Sequence, residues 1–166
     1  MLNLNKFVIT QRWLAVGRKY LVCDEMGACL FYIEQTALIQ MQPTFVAYQD
    51  TLKQRKLFSF QQKRGFADDY SITDENNTPI GTINRAKIYD VSGHELASIR
   101  RRGGGEITRK GFVIFRLLDP TGLQIGHLIT PWTIIRRRAI LELSVGLSRQ
   151  LDRRLAISAG IICLLE

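Results

Sequence analysis

The chain has 166 residues, 46% of them hydrophobic and 23% charged, with a formal net charge of +8. That size and balance suit one folded domain with a sizeable core and exclude a disordered or low-complexity chain. The charge excess is local: residues 1–99 hold 11 basic and 10 acidic side chains, residues 100–154 hold 12 and 4, and residues 155–166 hold Glu166 alone.

Met1–Lys6 has neither the basic start nor the apolar stretch of a signal peptide, and no run is long enough to cross a bilayer as a helix. The expected compartment is the cytoplasm. Asn5–Gln11 reads as a first strand. Tyr20–Ile33 is the first of four units of one kind: strand, Asp-x-x-Gly turn, strand, with Asp24 and Gly27 in the turn. The others are Tyr70–Ile83 around Asp74, Ala86–Ile99 around Asp90 and Gly93, and Phe115–Ile129 around Asp119 and Gly122. In the second unit Asn77-Thr78 replaces the turn glycine. Aspartate bonds the turn backbone through its side chain, and Gly or Asn tolerates positive φ. The flanks are rich in Val, Ile, Tyr and Phe, as strands are.

Between these units, Thr44–Tyr48 and Leu57–Gln62 read as strands, and Thr36–Met41 and Thr51–Arg55 as short helical turns. Ala139–Val145 is a last strand. With two strands per hairpin the sum is about twelve. Pro43, Pro79, Pro120 and Pro131 fall at strand ends or turns, where proline is tolerated. Gly103-Gly104-Gly105 reads as a hairpin loop.

The chain closes on Leu155–Leu165, eleven uncharged residues that are apolar except for Ser158 and Gly160. As a helix this run is about 16 Å long, against a bilayer core of about 30 Å. Its apolar residues point in every direction, so it must be enclosed by protein. Asp152 can cap it. Gly160 costs about 1 kcal/mol relative to Ala in a helix interior and implies close packing there. One enclosed helix among many strands implies an all-β single domain over residues 1–166: a closed twelve-stranded antiparallel barrel around a helix at Asp152–Leu165.

Signals for catalysis are poor. His94 and His127 each follow a glycine in a hairpin, away from metal-spaced ligands, and there is no G-x-S-x-G elbow. The glycine triplet lacks the Lys-Ser/Thr of a phosphate loop. Asp74-x-Asn76-x-Thr78 lacks the Gly and Glu that a calcium loop needs. Cys23, Cys29 and Cys163 read as small core hydrophobes. Cys23 and Cys29 flank a turn and could face each other across a hairpin. The expectation is a non-enzyme without cofactor or metal. Basic signals are better: Arg100, Arg102, Arg109, Lys110, Arg136, Arg137 and Arg138 form the candidate anion site. Arginine's planar fork binds two phosphate oxygens at once. An apolar barrel interior forces at least one residue of the Arg100–Arg102 triplet to a rim. Aromatics are not interleaved with these cations as in a stacking platform, which disfavours nucleic acid.

Three stretches together resemble a known family: the Tyr-x-Val-x-Asp-x-x-Gly hairpin at Tyr20–Gly27, the Tyr70-x-Ile-x-Asp74 hairpin after Leu57-Phe58-Ser59-Phe60, and Leu151-Asp152-Arg153-Arg154-Leu155-Ala156 leading into an apolar helix. They resemble the LURP-one-related proteins, which belong with phospholipid scramblases and the Tubby C-terminal domain. The resemblance spans about Lys6 to Leu165. It implies a twelve-stranded barrel around a hydrophobic C-terminal helix, and binding of anionic phospholipid headgroups by a protein peripheral to the membrane. Scramblases also carry a proline-rich N-terminal region, a palmitoylated cysteine-rich stretch and an acidic calcium segment before the last helix. Here that segment is the basic Ser148–Arg153, which argues against calcium-triggered scrambling. Scramblase-type lipid transfer and a regulatory protein-interaction scaffold are the alternative functions.

Overall fold

The structure is a computed structural model describing residues 4–12, 17–36, 42–63, 69–84, 86–101, 112–131, 138–146 and 151–165. The chain alternates short strands: β1 (Lys6–Arg12), β2 (Lys19–Cys23), β3 (Cys29–Thr36), β4 (Thr44–Tyr48), β5 (Lys56–Gln62) and β6 (Asp69–Asp74). It continues through β7 (Pro79–Asn84), β8 (Lys87–Asp90), β9 (Glu95–Arg101), β10 (Phe112–Leu118), β11 (Gln124–Pro131) and β12 (Arg138–Leu143), and ends in a helix, α1 (Arg153–Leu165). Each strand pairs antiparallel with its sequence neighbours. β12 closes the ring on β1 through Val8 opposite Ile140 and Ile9 opposite Ala139. Closure removes every sheet edge.

The hairpin turns share one construction. In the Asp24 turn, Gly27 N–H donates to the Asp24 carbonyl at 3.2 Å and Ala28 N–H donates to Asp24 Oδ1 at 2.8 Å. The Asp74, Asp90 and Asp119 turns repeat it, with N–H to Oδ1 bonds of 2.8–2.9 Å. The fourth residue of each adopts positive φ, at Gly27, Asn77, Gly93 and Gly122. Asn77 therefore does take the place of the glycine. A type I turn followed by a left-handed residue adds one residue to a strand. The register accordingly shifts at Val22/Cys23, Ile72/Thr73, Ile88/Tyr89 and Leu117/Leu118, next to these turns.

Thr51–Arg55 is not a helical turn. It belongs to a fifth aspartate turn, in which Leu52 N–H donates to Asp50 Oδ1 at 2.9 Å and Lys53, at φ 60°, takes the left-handed position. Of the other expected helical turn, Thr36 ends β3 and 37–41 lie outside the described residues. Gly103–Gly105 lie outside them too.

The inward faces carry Phe7, Ile9, Tyr20, Val22, Ile33, Phe45, Phe58, Phe60, Ile72, Ile88 and Leu141, all fully buried. Phe45 and Phe60 stack with ring centroids 4.7 Å apart. Through this core runs α1. Seven consecutive residues, Leu155–Ile161, are buried, which covers every face of a 3.6-residue repeat. The helix fits because the wall has small residues where it passes closest. A Cβ on Gly81 of β7 would lie 3.2 Å from both Leu155 methyls and would also strike the Tyr89 carbonyl of β8. A Cβ on Gly160 would lie 3.2 Å from Ile9 Cδ1 and 3.4 Å from Leu128 Cδ1. The expected cost of Gly160 in a helix is thus offset by close approach to two wall residues.

The Asp152-Arg153-Arg154 lead-in holds the helix in the ring. Asp152 Oδ1 accepts from Arg154 N–H at 2.8 Å as a cap, and its carboxylate also takes the Arg154 guanidinium, Nη2 to Oδ2 at 2.7 Å. Arg153 reaches the two residues that lead into β1, donating from Nε to the Leu4 carbonyl at 3.2 Å and from Nη2 to Asn5 Oδ1 at 2.8 Å. Chain start and chain end are thereby pinned together. The carboxylate offsets the otherwise unfavourable placing of two cations at a helix N-terminus.

Truncating Ile157 to Ala removes a fully buried side chain at the helix centre. The expected loss of unfolding free energy is about 2–5 kcal/mol, measured by urea denaturation. A loss below about 1 kcal/mol contradicts enclosure of the helix.

Candidate anion-binding surface

Strand alternation sorts the loops. All five aspartate turns join an even strand to the following odd one, so Asp24, Asp50, Asp74, Asp90 and Asp119 gather at one end of the barrel. The Asp90 and Asp119 carboxyls are held below the usual carboxylate range. The His94 N–H leads for Asp90, and the Thr121 hydroxyl, 2.6 Å away, leads for Asp119. At the other end the strands terminate in exposed Arg12, Arg18, Lys63, Arg100, Arg101 and Arg138 and half-buried Lys19. Among the described residues the carboxylates nearest this rim are already engaged. Asp69 pairs with Lys63 at 3.4 Å, and Glu34 with Lys53 at 2.6 Å and with the Tyr32 hydroxyl at 3.1 Å. Burial and the Glu34 carboxylate push the Tyr32 phenol up to about 12. The molecule is electrically polar along the barrel axis.

Of the seven cations expected to form the site, Arg100 and Arg138 are described; Arg102, Arg109, Lys110, Arg136 and Arg137 lie outside the described residues. Arg100 sits on the outer wall of β9, directly opposite Arg116 of β10. Arg101 takes the inward parity but lies past the core, exposed at the rim opposite Phe115. Arg100 and Arg101 thus split between wall and rim as the alternation of a strand requires. Arg138 begins β12 on the outer wall opposite Thr10, two strands away from Arg116.

Arg116 was not among the expected residues. It stands alone in the otherwise apolar Phe112–Leu118, flanked by Phe115 and Leu117. The period-two pattern is the signal that could have found it, because Phe115 and Leu117 face the core and the residue between them must face out. Its other cross-strand neighbour is His127, whose Nε2 lies 3.7 Å from Glu142 Oε2. Lys87 lies close enough to Arg100 to feel its charge, but the Glu95 carboxylate, at 2.7 Å, dominates and raises Lys87.

Arg100 and Arg116 are two outer-wall cations placed directly opposite one another, with no ion pair to either among the described residues. Lys6, Lys53, Arg55, Lys63, Lys87 and Arg154 each meet a carboxylate, at 2.6–3.6 Å. Among the described residues, Arg12, Arg18, Lys19, Lys56, Arg100, Arg101, Arg116 and Arg138 form no ion pair, and Arg12 likewise stands opposite Lys19. Like charges directly opposite on an antiparallel pair are destabilising. The guanidinium fork is a donor geometry that matches anions with several oxygens, and here two exposed arginines occupy directly opposed positions. Among the described residues there is no cluster of three or more His, Cys, Asp or Glu fit to hold a metal, and no helix long and apolar enough to cross a membrane.

No family model matches the chain, and no curated protein matches it by sequence. Among solved structures, it is similar to the X-ray structure of a protein from Arabidopsis thaliana, with a TM-score of 0.54 over 96% of this chain and 89% of that one. The two share 9% sequence identity, so the likeness is one of fold alone.

The unpaired arginines make a prediction about stability. Arg116→Gln should stabilise the barrel by a few tenths of a kcal/mol at low ionic strength, and the gain should vanish in high salt as screening removes the repulsion. Denaturation of both proteins at two salt concentrations measures it. A loss of stability at low salt contradicts an unrelieved Arg100–Arg116 repulsion.

Proposed function

We propose that this protein is a non-enzymatic module that binds anionic phospholipid headgroups at a membrane surface through its basic rim and the adjoining β9–β10 wall. The observation that carries the reading is the exposed Arg100–Arg116 pair, opposed across two strands with no carboxylate partner among the described residues. A phosphate between the two forks turns a repulsion into two charge-assisted contacts. Arg101 and Arg138 lie at the same end of the barrel and extend the positive field. The acidic turns at the opposite end orient the molecule toward an anionic surface from a distance. Lys and Arg near an anionic leaflet contribute roughly 1 kcal/mol each, so a rim of this kind suffices for reversible peripheral attachment without a membrane-spanning segment.

The resemblance to LURP-one-related proteins, scramblases and Tubby C-terminal domains supports this reading in a specific way. It implies a twelve-stranded barrel around a hydrophobic helix, which is the architecture found, and a basic wall as the part that meets headgroups. The cytoplasmic face of a membrane is the location we propose. Lipid transfer by an inserted form is less favoured, because the candidate anchor, Leu155–Leu164, is enclosed in the core and its removal opens the barrel.

Vesicle co-sedimentation tests the proposal. Binding should appear with vesicles containing phosphatidylserine or phosphoinositide, be absent with phosphatidylcholine alone, and weaken as salt rises. The double variant Arg100→Gln/Arg116→Gln should bind more weakly by about 2 kcal/mol, or roughly thirtyfold. Equal binding to neutral and anionic vesicles at low ionic strength overturns it.

A further inference from the structure

The cysteines depart from the sequence expectation. Cys23 and Cys29 are not core hydrophobes. Val22 faces inward, so Cys23, the next residue on β2, faces out. The register shift at Val22/Cys23 then sets Cys29, the first residue of β3, directly opposite it. The two Sγ atoms lie 2.9 Å apart, and Cys29 is exposed. Directly opposed residues on antiparallel strands have Cα atoms about 4.5–5.5 Å apart, inside the range of about 4.4–6.8 Å that a disulfide spans. The Asp24 turn fixes this geometry through two backbone bonds and the Asp24 Oδ1 cap. The third thiol, Cys163, is half-buried on α1.

We propose that Cys23 and Cys29 form a thiol–disulfide exchange site on the β2–β3 hairpin, oxidised by a small soluble disulfide of the glutathione type. The exposed Cys29 meets the oxidant first. Its thiolate attacks one sulfur of oxidised glutathione, forming a protein–glutathione mixed disulfide and expelling one glutathione thiolate. Cys23 then loses its proton to water and attacks Cys29 Sγ, expelling the second glutathione. Two protein thiols and one glutathione disulfide become one protein disulfide and two glutathione thiols, so two electrons pass from the protein to the oxidant. Burial and the Cys29 thiol push the Cys23 thiol up to about 11, which disfavours it as the first nucleophile, because only thiolates attack. Its fixed proximity to Cys29 makes the second step intramolecular. The backbone needs no rearrangement, so the barrel persists in both states.

The test uses the whole chain, reduced, freed of reductant and exposed to oxidised glutathione. The wild-type intact mass should fall by two hydrogen atoms with no retained glutathione, and a non-reducing peptide map should join Cys23 to Cys29. Cys23→Ser should keep one glutathione on Cys29. Cys29→Ser should acquire glutathione at position 23 at least about tenfold more slowly than Cys23→Ser does at position 29. Circular dichroism confirms that each variant retains its sheet. A glutathione adduct that persists on wild-type Cys29, or both thiols left free in the folded protein, overturns the proposal.

Discussion

Everything in this molecule depends on one enclosure: a helix with no polar face, kept from water by a sheet with no edge. Each half of that arrangement requires the other. A twelve-stranded ring is too wide to fill with its own side chains and needs a rod along its axis. The Leu155–Leu164 run is apolar on every side and needs a wall all round. Gly81 and Gly160 let the two surfaces approach closely. The Asp152-Arg153-Arg154 lead-in fixes where the rod enters and ties it to the strand that closes the ring. Those two arginines, the most distinctive of the chain's charged residues by sequence, are therefore engaged in closing the fold.

Because the ring is an up-and-down meander, its loops fall into two sets by parity, and the charge follows. The aspartates serve the backbone: each accepts N–H bonds from its own turn, and all five turns belong to the same set. Arg12, Arg18, Lys19, Lys63, Arg101 and Arg138 fall between the repeated hairpins and hence at the opposite end. The polarity of the molecule is thus a consequence of turn chemistry combined with strand alternation. A basic rim opposite an acidic one gives a binding module an orientation as well as an affinity.

Much of the fold was legible. The Asp-x-x-Gly hairpins announce their own turns, and β4 runs over Thr44–Tyr48 as its β-branched and aromatic content indicates. The helix was legible because its length and its lack of any polar face permit few environments. The Asp50 turn was not, because its left-handed residue is Lys53, which carries no compositional mark of positive φ. The outward placing of Cys23 and Cys29 was hidden by a bulge, since one extra residue reverses which face a side chain takes. Arg116 is inconspicuous in sequence because its neighbours in Phe112–Leu118 are apolar. A cluster in sequence is conspicuous. A pair made by cross-strand register is not, and the Arg100–Arg116 pair is of the second kind.

The helix is the core of the fold, so the membrane contact we propose belongs to the outer cations. Amide hydrogen exchange along α1, measured in the free protein and with anionic vesicles present, tests this most directly. Protection of Ile157–Ile161 at the level of global unfolding, unchanged by vesicles, is the predicted result. Helix amides that exchange well before the strands, or that lose protection when vesicles are added, would contradict it.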